Sequence, residues 1–186
     1  MSAARASRRI ADGRTAAAAC AVALAAGAVG AYPEGAPWGA ANPDAEESCA
    51  SCHYDFDARR GWPGLALRGL PAVVRAGRDY ALVLEFTDND AVTAGFQVIA
   101  AADDAQPGRI SAADAAGIET IGAAARSVRP VRVDGGARWQ LAWQAPPAPA
   151  AAVTFYVAAS AANDDNSPFG DRVHYRRYRV EVQAGE

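Results

Sequence analysis

The strongest constraint on the fold is a two-residue alternation that recurs along most of the chain. In "RDYALVLEFT" (78–87), Tyr80, Leu82, Leu84 and Phe86 share one face, and Ala81, Val83, Glu85 and Thr87 the other. Successive side chains of an extended strand point to opposite faces, so this pattern predicts a half-buried β-strand. The alternation returns in "AGFQVIAA" (94–101) with Phe96 and Val98, and in "RWQLAW" (138–143) with Trp139, Leu141 and Trp143. "VTFYVAAS" (153–160) aligns Val153, Phe155 and Val157. "RVHYRRYRVEVQ" (172–183) aligns Tyr178, Val180 and Val182, and parity puts His174 on that same face. Turn-forming stretches such as "TDND", "DGG", "APPAPA" and "ANDDNSPFGD" separate the runs. Short strands punctuated in this way predict an all-β fold, an antiparallel β-sandwich. One helical turn is expected at "SAADAAG" (111–117).

The 186 residues suit one domain behind an export segment. Hydrophobic residues make up 51%, but much of this is alanine, so the core rests on the larger side chains. The net charge of −3 offers no field for nucleic acid, and arginine supplies every basic residue. Residues 1–31 read as a signal peptide: Arg5, Arg8, Arg9 and Arg14, then an apolar stretch from Thr15 to Val29, then "VGA" before Tyr32. The alternative is an uncleaved membrane anchor, since the stretch approaches the ~17 residues at the low end for a spanning helix. Residues 32–65, rich in Pro, Gly and Ala, read as an extended arm without a core of its own. Residues 66–186 form the sandwich. The expected location is the periplasm, the cell surface or the exterior.

The arm carries "SCASCHYDF" (48–56), with Cys49, Cys52 and His53 in a C-x-x-C-H pattern. Covalent haem attachment requires two thiols spaced to meet two vinyl groups and an imidazole beside them, and this pattern supplies all three. Cys49 and Cys52 would form the thioethers and His53 the proximal iron ligand. The only methionine is Met1, which leaves His174, the second of two histidines, as a candidate sixth ligand. A bis-histidine iron suits electron transfer, and an iron without His174 keeps an open position. The plainer role for His174 is a structural histidine near a strand end. Arg59 and Arg60 are candidate partners for haem propionates or a solvated pair. Trp38, Tyr54, Phe56 and Trp62 either cover a haem or pin the arm.

Two rivals share the motif. An exported Cys49–Cys52 pair can close as a disulfide, leaving an envelope binding or adhesion module. Zinc is the other, though a second closely spaced ligand pair is missing. Asp164, Asp165, Asn166 and Asp171 in "NDDNSPFGD" (163–171) could hold calcium or form a turn rich in side-chain caps. No local catalytic constellation is present, so the chain is expected to be no enzyme.

In its order of elements the chain resembles the Reeler-like, choice-of-anchor V domains of exported bacterial proteins. The resemblance rests on "GAPWGAANPDAEESCASCH", "AGRDYALVLEFTD", "AGFQVIAA", "WQLAWQAPP" and "VTFYVAASAANDDNSPFGDRVHY", and spans roughly residues 35–182. It implies a Reeler or immunoglobulin-like sandwich and carries over Cys49, Cys52 and His53 as site residues. The resulting expectation is an exported monohaem c-type cytochrome-like protein with one covalent haem c. Its partners would be redox proteins of the envelope or other c-type cytochromes.

Overall fold

The computed structural model describes residues 35–103, 105–112 and 117–185. The expected signal segment, and most of the expected helical turn at 111–117, lie outside the described residues. Among the described residues twelve strands follow one short helix, α1 (Cys49–Cys52). They are β1 (Arg59–Arg60), β2 (Leu65–Arg68), β3 (Val73–Arg75), β4 (Asp79–Phe86), β5 (Thr93–Ala101) and β6 (Arg109–Ala112). Then come β7 (Ile118–Ile121), β8 (Ala124–Ser127), β9 (Val131–Arg132), β10 (Ala137–Gln144), β11 (Ala150–Ala162) and β12 (Arg172–Gln183). The larger sheet runs β1-β12-β11-β5-β8-β7, with β3 also on β12 and β9 on β5; the smaller runs β2-β4-β10-β6. Pairing is antiparallel except where β1 and β3 lie parallel to β12.

The alternating residues bury where their period requires. Leu82, Leu84 and Phe86 of β4 and Trp139, Leu141 and Trp143 of β10 face Phe96 and Val98 of β5 and Val153, Phe155 and Val157 of β11 in one core. Phe96 meets Trp139 at 4.7 Å, and Trp143 meets Phe155 edge-on at 4.9 Å, joining the two sheets. Within the larger sheet, large side chains pair with small ones: Phe155 lies opposite Ala100, and Ala159 opposite Phe96. The alanines therefore belong to the core, filling places beside aromatic rings where a larger group would not fit.

The N-terminal arm has no separate core, yet it is not free. It lies on the outer face of the larger sheet, where Ala41 packs with Ala158, Val173 and Tyr175. Gln97, 1% exposed, is its central clamp. The Gln97 side-chain oxygen accepts from the Gly39 and Ala41 amides at 3.1 and 3.0 Å, and its NH₂ donates to the Pro37 carbonyl at 2.9 Å. Arg126 of β8 stacks on Trp38 at 4.4 Å and donates to the carbonyls of Gly35 and Ala36. The arm ends as β1, a parallel edge strand beside His174 and Tyr175. The chain then passes through Gly61–Gly64 into the smaller sheet, so the arm is continuous with the sandwich. Among the described residues no helix is long and apolar enough to cross a membrane.

Candidate functional site

The C-x-x-C-H motif sits on α1, a single turn held from outside itself. The Cys49 amide donates to the Ala40 carbonyl at 3.0 Å, and the Ala50 amide to the Tyr175 hydroxyl at 2.9 Å. Satisfying these first amides from the arm and from β12 sustains a helix far shorter than one stable alone. His53 ends the turn, and its amide bonds the Cys49 carbonyl. Both cysteines are half-buried free thiols. Cys49 packs beside Ala41, Ala158, Val173 and Tyr175. Burial above all, then the neighbouring Cys52, pushes its thiol up to about 12. A thiol so disposed stays protonated at neutral pH, which disfavours both a zinc thiolate and an attacking nucleophile. Burial likewise raises the Tyr175 phenol, with Cys49 the second cause.

His53 is fixed by a contact that its own stretch of sequence does not announce. Its Nδ1 lies 2.9 Å from Oδ2 of Asp171, whose side chain is 3% exposed. The pair is at ion-pair distance, although Nδ1 makes no hydrogen bond of good geometry. Nδ1 is buried while the His53 side chain keeps 30% exposure, which leaves the exposure to the rest of the ring. Asp171 is held in turn, because its Oδ1 accepts from the Asn163 amide at 3.2 Å. Around His53 the aromatic side chains stand in solvent: Tyr54, Phe56 and Phe169 are 57%, 44% and 48% exposed. Tyr54 meets Phe169 edge-on at 5.7 Å, and the Arg172 guanidinium lies over Phe56 at 4.8 Å.

His174 is elsewhere. It is fully buried, with its ring 5.2 Å from Phe86 and 5.6 Å from Trp62. Its Nε2 lies 2.9 Å from Oδ2 of Asp88, which Arg59 approaches at 3.7 Å. Parity explains the separation. Asp171, Val173 and Tyr175 point to the arm, whereas His174, Val180 and Val182 point between the sheets. The two histidines are on opposite faces of β12, and the structure does not bring them together. Burial lowers the His174 pKa and outweighs the opposing pull of Asp88, with Arg59 adding to the fall. The shift favours the neutral ring, and neither buried ring nitrogen makes a hydrogen bond of good geometry.

The remaining sequence candidates are divided among other tasks. Arg59 stacks on Trp62 at 4.8 Å beside the Asp88–His174 pair. Arg60 bonds Asp44 at 3.1 Å. Trp38 and Trp62 pin the arm and the sheet junction. In the 163–171 loop, Asp164 pairs with Arg132 and Asp165 accepts from Ser167 and Asn163. With Asp171 committed to His53, these carboxylates serve turn and ion-pair roles. Among the described residues no group of three His, Cys, Asp or Glu side chains is gathered to hold a metal ion. A groove of about 460 Å³ beside the arm is bordered by Arg60, Arg176 and Arg177 around Tyr156 and Tyr175.

No family model matches the chain, and no curated protein does. Among solved structures it is similar to the Reelin-N domain of F-spondin, with a TM-score of 0.51 and 20% identity over 72% of this chain and 96% of that one. Two fragments of the human F-spondin reeler domain give TM-scores of 0.49 and 0.48, at 20% and 19% identity. They cover 73% and 69% of this chain, and 99% and 96% of theirs. At such identity the likeness concerns the fold: an all-β, Reeler-like sandwich.

Proposed function

We propose that this protein is an exported monohaem c-type cytochrome-like carrier, akin to choice-of-anchor V domains that bear C-x-x-C-H on a Reeler-like sandwich. The observation that carries this reading is the Nδ1 contact of His53 with buried Asp171. Metal-ligating histidines characteristically donate their second ring N–H to a carboxylate or carbonyl, which fixes the tautomer and the ring orientation. Asp171 stands at ion-pair distance from Nδ1 of His53, the place such a partner would take.

The rest of the donor set supports the same cofactor. Cys49 and Cys52 stand three apart on one helical turn and therefore on one side of it. Cys49 is packed beside Ala41, Ala158, Val173 and Tyr175, so a thioether there requires α1 to lift from the sheet. Exposed Tyr54, Phe56 and Phe169 offer apolar surface of a kind that soluble proteins seldom leave clustered without a use. Arg60 and Arg177 border the groove beside the arm and offer guanidinium groups suited to propionate carboxylates. When bound, haem supplies one-electron chemistry. The chain supplies covalent anchoring through Cys49 and Cys52, ligation through His53 and orientation through Asp171. The partners are redox proteins of the cell envelope, reached through the N-terminal signal, since haem is joined to C-x-x-C-H outside the cytoplasm.

The test is the absorption spectrum of the exported protein under denaturing conditions, from a host that matures c-type cytochromes. A haem signal that survives denaturation and vanishes in Cys49→Ala/Cys52→Ala is expected. A colourless protein, made where a known c-type cytochrome matures normally, overturns the reading. It would leave an envelope binding module with a Cys49–Cys52 disulfide.

A further inference from the structure

We infer that the groove between the arm and β12 is a binding site for a small aromatic carboxylate, held by Arg60 and Arg177 over Tyr156. None of Cys49, Cys52 and His53 lines this groove, and the inference does not rest on the haem reading.

Strand parity builds the site. Arg60 of β1 is paired with Tyr175 of β12, and Tyr156 of β11 with Arg177 of β12. Paired residues share a face of the sheet, as do residues two apart on one strand. These four side chains therefore meet on the outer face of the larger sheet, and Pro43 and Asp44 of the arm complete the lining. Arg176 has the opposite parity and is spent elsewhere: it donates to the Trp62 carbonyl at 3.2 Å and lies over Tyr178 at 5.6 Å. The groove volume of about 460 Å³ lies in the range of small-molecule sites.

The charges select the head group. Arg177 is exposed, and among the described residues it pairs with no carboxylate. Arg60 already holds one, Asp44, at 3.1 Å, with both side chains 62% exposed. An ion pair so exposed contributes little, so an incoming carboxylate can take the guanidinium from Asp44. The planar guanidinium fork matches a planar carboxylate, and Asp44 displays that match within the chain itself. The floor selects the body. Tyr156 is half-buried and packs against the cluster of Ala41, Ala158, Val173 and Tyr175. Tyr175 is buried, and its hydroxyl is taken up by the Ala50 amide. Tyr156 thus offers a supported ring on which a flat apolar body stacks.

The experiment titrates 2-naphthoate into the full exported protein and into its Cys49→Ala/Cys52→Ala form, read by the NMR shifts of backbone amides. Saturable, one-to-one binding to both is expected, with the shifts centred on Gly61, Tyr175 and Arg177. Acetate, which lacks the ring, and 2-naphthalenemethanol, which lacks the charge, should each bind at least about tenfold more weakly. Arg177→Gln should weaken 2-naphthoate binding about tenfold. Asp44→Asn should strengthen it about threefold by freeing Arg60. Glu47→Gln makes the same change in net charge at an exposed arm residue outside the groove and should leave the affinity unchanged. Absence of saturable binding overturns the inference, as does an affinity that Arg177→Gln leaves intact. Equal gains in Asp44→Asn and Glu47→Gln overturn it by showing a bulk charge effect. Binding confined to the Cys49→Ala/Cys52→Ala form overturns it by reserving the groove for haem.

Discussion

Gln97→Ala tests how the motif is held in place. Gln97 lies between Phe96 and Val98 in a largely apolar strand, and its amide makes three hydrogen bonds to arm backbone at Pro37, Gly39 and Ala41. Each such bond contributes about 1 kcal/mol net, and an amide left buried and unpaired costs about as much again. Ala41 is 0% exposed, so its amide would be stranded unless the arm lifts. The substitution should therefore weaken arm docking by about 3 kcal/mol, or roughly 100-fold. Urea unfolding reads the global effect, and hydrogen exchange at the Gly39 and Ala41 amides reads the local one. If the arm undocks as a unit, exchange there should accelerate about 100-fold while the β4 and β10 amides keep their protection. A stability change under about 0.5 kcal/mol, with unaltered exchange at Ala41, would refute the clamp.

Three further outcomes are expected. Asp171→Asn removes the carboxylate from His53 and should raise the haem reduction potential by about 60 mV for each tenfold loss of preference for ferric iron, read by redox titration. His174 titrates lower in the folded protein than the ordinary 6.5, so below that pH the unfolded chain binds more protons there. Stability should therefore hold above about pH 6.5 and fall as pH drops from there toward the folded value, with a flatter profile in His174→Gln. Trp143→Ala empties a fully buried site that joins the sheets and loses the Nε1–H bond to the Pro107 carbonyl, and should cost about 3–5 kcal/mol in urea unfolding.

The long strands were legible because burial imposes a period that a single stretch displays. β4, β5, β10, β11 and β12 all contain the runs that mark them. β1, β3 and β9 are two or three residues long and carry no period; they exist because β12 and β5 offer free edges to pair with. The face of His174 was readable from parity, but which face looked toward the motif was not. That depended on the arm crossing the outer side of the sheet, a choice made by Gln97 through contacts 56 to 60 residues away. Asp171 and Asp88 were hidden for a similar reason. Each sits in a turn rich in Asp and Asn, where a short polar side chain has a local explanation. Only the tertiary fold sets one against His53 and the other against His174. A lone buried glutamine between Phe96 and Val98 was the available hint that something polar lay across that strand.

The most direct test is the intact mass of the exported protein, purified without reductant from a host competent in haem attachment. The expected value is that of the processed chain plus one haem, retained after denaturation and absent from Cys49→Ala/Cys52→Ala. A mass lower by two hydrogens than the reduced chain would show a Cys49–Cys52 disulfide and contradict covalent haem, as would the mass of the unmodified chain.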